Sequence, residues 1–301
     1  MASERGEQVL RNNPHVFQIL KNDETVKNEL LGDHMQYLMR KYKCERLIDL
    51  NESIECALSQ HPRSANYKLP KKERLAKYNR NFYEYCFEHA KEPWDKNTDF
   101  KPELFFDDSE LEEARGYLKP GFNILVGLSG SGTNKAWPYI IDLCNNIGKT
   151  HPDIHIITVG DVRCEILEDI ETPDLTNITY LSGKISMRIS MALTGLVNLV
   201  IAPDTGIIHA SGCYDTPKIC LLGHTTKEMI TKYFTNDYSI EADEKLAPCS
   251  PCSFMIYNPK LQCPLDANFN TSVCMSDGIP LQIVYDRVME VYARFQEKGW
   301  Y

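Results

Sequence analysis

The sequence predicts an α/β protein whose main body is a doubly wound parallel sheet, from about residue 115 to 280. Three observations carry that prediction. Short β-branched apolar runs recur after Phe122. Helix-like segments of roughly 10–15 residues separate several of them, which is the signature of βα units. Glycines, hydroxyls and charges follow the runs, where a parallel sheet places its ligands.

The runs come in order. Phe122–Leu128 is the first, Ile154–Gly160 the second, Ile178–Leu181 a weaker third, Leu196–Ala202 the fourth and Lys218–Gly223 the fifth. They are apolar throughout rather than alternating, so both sheet faces are expected to be covered by helices.

The first 100 residues read as a smaller, mostly helical part. Glu45–Leu50 is its one candidate strand, ending near Asp49. Lys71–Ala90 reads as one long helix, with Tyr78, Phe82 and Tyr85 at helical spacing as core rings. Glu92–Pro102 contains Pro93, Asn97 and Pro102 and reads as a linker. Ser109 is placed to cap the next helix. Pro280–Tyr301 is an amphipathic helix, with Ile283, Val284, Val288, Val291, Tyr292 and Phe295 on one face. The expected division is 1–100, 101–279 and a terminal helix at 280–301.

Composition narrows the function classes. Of 301 residues, 43% are hydrophobic, enough for a packed core, and no apolar run reaches membrane-spanning length. The start of the chain has no apolar secretory segment, which predicts a cytoplasmic protein, with room for a peripheral membrane contact. A net charge of −9 argues against a nucleic-acid partner. Lys68, Lys71, Lys72, Arg74, Lys77 and Arg80 form a local basic patch, read either as a solvated helix face or as a dock for an anionic acceptor.

Eleven cysteines are present. Cys44, Cys56, Cys86, Cys144, Cys164, Cys213 and Cys220 read as small hydrophobes. Cys249, Cys252, Cys263 and Cys274 are spaced C-x2-C-x10-C-x10-C, compatible with a structural zinc knuckle or with reduced thiols on a loop.

Two loops carry chemistry. Ser129–Pro138 follows the first strand and offers glycines, the hydroxyls of Ser131 and Thr133, and the cation of Lys135. It is neither a Walker A loop nor a dinucleotide fingerprint. Pro203–Ala210 follows the fourth strand. There Asp204 reads as an N-cap, Thr205 and Gly206 as the first turn, and His209 as one turn in. Two anion-suited loops on one sheet edge fit a diphosphate. Neither loop holds an Asp-x-Asp pair, so Lys135 rather than a metal is expected to meet the charge.

The chain resembles glycosyltransferase family 9, the ADP-heptose:lipopolysaccharide heptosyltransferases. Four ordered elements carry the resemblance: Thr133–Pro138, Leu181–Lys184, Asp204–His209 and Gly223–Thr225. The segment from Cys249 to Met275 also looks like family members, and the likeness covers about residues 100–290. It implies a GT-B pair of Rossmann-like domains, with the C-terminal domain binding a nucleotide-sugar donor such as ADP-heptose. It implies inverting, metal-independent transfer to a saccharide acceptor such as lipopolysaccharide core, with no cofactor. Ser131, Thr133, Lys135, Asp204, Thr205, Gly206 and His209 match donor-binding positions, and Glu165 matches an acid that contacts the nucleoside. Lys135, Asp204 and His209 are the expected catalytic residues. The last helix is expected to cross back toward residues 1–100. The family's N-terminal catalytic Asp has no matching residue, and Asp49 is the candidate substitute. The alternatives are a non-catalytic donor-binding module and a transferase for another acceptor.

Overall fold

The computed structural model describes residues 3–20, 31–48, 50, 69–170, 175–253, 263, 266–267 and 271–298. Six strands form one parallel sheet: β1 (Phe122–Gly127), β2 (Ile154–Val159), β3 (Ile178–Tyr180), β4 (Leu199–Pro203), β5 (Lys218–Leu222) and β6 (Ile240–Glu241). Their order is β3-β2-β1-β4-β5-β6, so the chain reverses direction across the sheet between β1 and β4. Ile124 sits between Ile156 on one side and Leu199 on the other. The first five strands fall on the five apolar runs. A two-stranded hairpin, β7 (Asp266–Ala267) and β8 (Thr271–Ser272), lies outside this sheet.

The helices are α1 (Glu4–Leu10), α2 (Leu31–Tyr42), α3 (Lys71–Tyr78), α4 (Phe82–Ala90), α5 (Asp108–Arg115), α6 (Ile140–Thr150), α7 (Glu165–Ile170), α8 (Met187–Leu193), α9 (Gly206–Ser211), α10 (Lys227–Ile230), α11 (Val273–Ser276) and α12 (Leu281–Lys298). One apolar layer joins Phe122, Ile124 and Ile156 to Leu143 and Ile147 of α6 and Val284, Val288 and Tyr292 of α12. The other joins Leu125, Ile157 and Val200 to Phe82, Ala114, Ile189, Leu193 and Met229. Both faces are covered, which is why the strands are apolar on both sides.

Several expectations are corrected. Among the described residues of the first 100, the regular elements are helices. Leu47, Ile48 and Leu50 are exposed. Asp49 lies outside the described residues.

The predicted long helix is two. Asn81 is extended and its side chain accepts from the Tyr83 N–H, so it ends one helix and caps the next. Residues from Lys71 on also dock on the sheet unit rather than standing apart. Asn81 donates to the carbonyls of Glu228 and Met229, and buried Glu84 accepts from Lys232 Nζ and Tyr233 Oη, both at 2.7 Å. The proposed linker is irregular but packed: Phe100 is buried, its ring 4.5 Å from that of Tyr233. Asp107, not Ser109, caps α5 in a capping box with Glu110.

The terminal helix packs on the sheet. Val284, Val288 and Val291 form an i, i+4, i+7 stripe, and Tyr292 and Phe295 meet Phe122. Ile283 falls off that stripe and is exposed. The basic patch is largely consumed inside the molecule. Lys71 Nζ donates to the carbonyls of Pro248 and Ser250 and pairs with Glu244, and Arg80 pairs with Glu84 and Glu88. Cys44 is exposed, and Cys86 and Cys213 half-buried, whereas Cys144, Cys164 and Cys220 are buried as expected. Lys68 and Cys56 lie outside the described residues. No helix of the described residues is long and apolar enough to cross a membrane.

Candidate donor site

The site lies where the chain reverses across the sheet, at the carboxyl ends of β1 and β4. After β1, Thr133–Lys135 forms a single 3-10 turn. Gly130 permits it: a Cβ there would stand 2.5 Å from Lys135 Cβ and 3.2 Å from Thr205 Cγ2. The absent side chain lets the two loops touch.

The centre is one buried carboxylate between two basic groups. Asp204 Oδ2 lies 2.8 Å from Lys135 Nζ, and Asp204 Oδ1 lies 2.9 Å from His209 Nε2. Burial alone would raise the Asp204 pKa, but the Lys135 charge and the His209 hydrogen bond outweigh it. They hold the carboxyl well below the usual carboxylate range. Asp204 is therefore not an N-cap. Thr205 occupies that position without a side-chain cap bond, because the long-range partners of Asp204 claim its oxygens. Lys135 and His209 stay partly exposed, at 24% and 37% of their side chains, so both can reach a ligand.

The surrounding hydroxyls are unsatisfied. The Oγ1 atoms of Thr133, Thr205 and Thr225 are buried without a partner among the described residues. Ser131 and Gly206 are exposed, and a Cβ on Gly206 would meet nothing within 4 Å. Glu165 stands apart from this centre, at the start of α7 beyond β2. Its carboxylate occupies the place where a side chain on Gly183 would go. Thus Ser131, Thr133, Lys135, Asp204, Thr205, Gly206 and His209 gather at β1 and β4, and Glu165 marks the β2–β3 side.

Three contributors go beyond the residues assigned to the site from the sequence, although Gly223–Thr225 carries part of the family resemblance. His224 and Thr225, directly after β5, are 2% and 1% exposed. The His224 ring stands within reach of the charges of Lys135 and Asp204. Burial, and then the Lys135 charge, push it down to about 4, so it is neutral. Glu168 is the third, buried under the β2–β3 side. A polar residue in the turn after a strand was the available signal for the first two. An acid on a helix gives none.

The cysteine segment covers the β5 side. Ser250 Oγ donates to the Gly223 carbonyl at 2.6 Å, Ser253 N–H to the His224 carbonyl at 2.7 Å, and Thr271 Oγ1 to the Ala136 carbonyl at 2.5 Å. The Trp137 indole donates to the Ile279 carbonyl at 2.8 Å. Cys274 is buried and its thiol is pushed well up, first by burial and then by Cys252, Cys249 and Cys263. Among the described residues no three His, Cys, Asp or Glu side chains stand as a metal-holding group. What these bonds show is a buttress for the Lys135 turn.

The sequence profile described as Glycosyltransferase family 9 (heptosyltransferase) matches residues 45–254, more than half of the chain. The chain belongs to glycosyltransferase family 9. As a member of that family it is a glycosyltransferase, and the β1–β4 cradle is the part of the family's fold described above. A solved structure of a family 9 glycosyl transferase from Veillonella parvula is similar over 97% of this chain and 87% of its own, with 12% identity and a TM-score of 0.64. The E. coli ADP-heptose lps heptosyltransferase II is similar over 72% of this chain, with 13% identity and a TM-score of 0.50, and the match spans 63% of that protein. At such identities the likeness concerns the fold, a GT-B-type α/β architecture. No curated protein matches the chain.

Proposed function

We propose that this glycosyltransferase moves a sugar, heptose being the first candidate, from a nucleoside diphosphate donor such as ADP-heptose to a saccharide hydroxyl. Lipopolysaccharide core is the first candidate acceptor. The observation that carries the reading is the Lys135–Asp204–His209 constellation at the switch point, ringed by unpartnered hydroxyls. The diphosphate fills that cradle. Its oxygens accept from Thr133, Thr205 and the free N–H groups at the start of α9, and Lys135 meets the charge that grows as the sugar leaves.

Transfer is inverting and needs no metal in this reading. The acceptor oxygen attacks the anomeric carbon from the face opposite the diphosphate, the C–O bond to the diphosphate breaks, and the acceptor proton passes to a base. Asp204 presents no vacant oxygen for a cation, since Lys135 and His209 hold both. It fixes the two basic groups instead.

The nucleoside extends toward β2 and β3. Strands are spaced about 4.8 Å apart, so a nucleoside bound next to the diphosphate reaches one to two strands further. The β5 side is closed by the cysteine segment, with His224 and Thr225 buried beneath it. On the β2–β3 side Val162 and Ile166 are exposed apolar residues flanking Glu165. Those side chains suit a base, and the Glu165 carboxylate suits ribose hydroxyls.

The test is a melting-temperature screen with ADP, UDP, GDP and CDP, because a ligand that binds only the folded chain raises its stability by mass action. ADP is expected to give the largest rise. No response to any of the four would sink the donor reading.

A further inference from the structure

Glu168 is 4% exposed and lies at the carboxyl edge between β2 and β3. One of its oxygens takes three hydrogen bonds. Oε1 accepts from Thr158 Oγ1 at 2.5 Å, Ser182 Oγ at 2.7 Å and the Ser182 N–H at 3.2 Å. Oε2 is buried with no partner among the described residues. Neutral donors on one oxygen are a costly way to bury a carboxylate. Two hydroxyls could be satisfied by backbone carbonyls, so core packing does not account for an acid here.

Its position does. Glu168 lies one turn from Glu165 on α7, and Ser182 immediately precedes Gly183. Gly183 has φ 66°, a left-handed conformation that favours glycine, and its N–H donates to the Gly160 carbonyl at 3.1 Å. A Cβ there would fall on the Glu165 carboxylate and stand 3.1 Å from Val162 Cα. So Val162, Glu165 and Gly183 form one close corner. The Glu168–Ser182 bonds fasten the helix side of that corner to the strand side.

We propose that Glu168 is a positioning residue for the nucleoside end of the donor, fixing Glu165 and the Gly183 turn in the geometry that accepts ribose and base. The inference rests on the donor reading above. Glu168 itself is buried and does not touch the ligand. It acts by removing the freedom of α7 to move against the Ser182–Gly183 turn, so the corner is already formed when the nucleotide arrives.

The experiment is titration calorimetry of the whole chain with ADP and, separately, with inorganic pyrophosphate. Wild type is compared with Glu168→Gln and Ser182→Ala. Pyrophosphate reads the β1–β4 cradle alone, and ADP reads the cradle and the corner. Glu168→Gln is isosteric but neutral, and it puts an amide where no acceptor waits. It is expected to weaken ADP about tenfold, near 1.4 kcal/mol, and to leave pyrophosphate within about twofold. Ser182→Ala keeps the N–H bond and is expected to weaken ADP about threefold, again without touching pyrophosphate. Equal losses for both ligands would mean a general effect on folding and overturn the inference. So would unchanged ADP affinity in both variants, or a wild type that binds ADP no better than pyrophosphate. If Glu168→Gln does not fold, the Ser182→Ala split decides. A wild type that binds neither ligand instead overturns the donor reading itself.

Discussion

The two edges of one sheet treat buried polar groups in opposite ways. At the amino edge they are closed on one another. His155 contacts Asn123 Oδ1 at 3.0 Å and Thr179 Oγ1 at 2.9 Å, across three adjacent strands. Asn123 donates in turn to the carbonyls of Lys119 and Gly121. Buried Lys218 donates to the carbonyls of Tyr214 and Thr235, at 2.9 and 2.8 Å. At the carboxyl edge, Thr133, Thr205 and Thr225 keep hydroxyls, and Glu168 an oxygen, with no partner among the described residues. Strand composition does not explain this, since both edges end the same apolar strands. A buried polar atom left unpaired costs about 1–3 kcal/mol, so several along one edge mark the place where stability is given up for binding.

The sharpest way to break that contrast is Lys135→Ala. Charge-assisted hydrogen bonds to phosphate are worth up to about 3 kcal/mol, so ADP affinity should fall about a hundredfold by calorimetry. Asp204 is then a buried carboxylate with only His209 beside it, so the melting temperature should fall as well. In Lys135→Ala combined with Asp204→Asn the melting temperature should recover and the affinity should not. If affinity returns with stability, Lys135 holds the fold and not the donor.

Acid tests the exceptions. His155 at the amino edge and His224 at the carboxyl edge are both pushed down to about 4, mainly by burial. A histidine whose folded pKa lies below its unfolded value near 6.5 leaves the unfolded chain holding more protons between the two. Stability is therefore lost as pH falls from about 6.5 toward 4, by about 2 kcal/mol per histidine between pH 7 and 5. Urea unfolding at the two pH values measures it, and His224→Gln should remove about half of the loss. Asp204 adds nothing to that window. Its depressed pKa gives stability that is present above the unfolded carboxyl value and lost only in strong acid. A flat profile between pH 7 and 5 would show that neither ring is held neutral by the fold.

Much of this contrast was legible in the sequence, and the remainder was not for stated reasons. β1, β2, β4 and β5 show as apolar, largely β-branched runs because they are buried on both faces, and β3, three residues long and partly buried, is the weaker run. β6 escapes because Ile240–Glu241 is two residues long. The loops of Lys135 and Asp204 stand out because their residue types suit a phosphate. The role of Asp204 was misread, since local statistics favour an N-cap where Lys135, 69 positions away, supplies the partner. Glu168 is invisible for the same reason: acids on helices are usually solvated, and only Thr158 and Ser182 reveal that this one is not. That Phe82 and Phe100 pack on the sheet unit is a fact that no composition shift announces.

The smallest effect separates the edges most cleanly, because its two readouts move in opposite senses. Gly206 opens α9, and a Cβ there would meet nothing within 4 Å among the described residues. Its φ is not in the left-handed region, so alanine fits without strain. Replacing glycine with alanine at a compatible helical position stabilises by about 0.4–1 kcal/mol, chiefly by restricting the unfolded chain. Gly206→Ala should therefore raise the melting temperature by a few degrees. The new methyl points into the space where the diphosphate approaches the N–H groups of the helix start, so ADP affinity should fall several-fold, roughly 1 kcal/mol. Stability and affinity then change against each other at one atom. If Gly206→Ala gains stability and keeps full ADP affinity, the glycine is not the point of closest approach. The diphosphate would then have to sit nearer Ser131 and Thr133 than the start of α9.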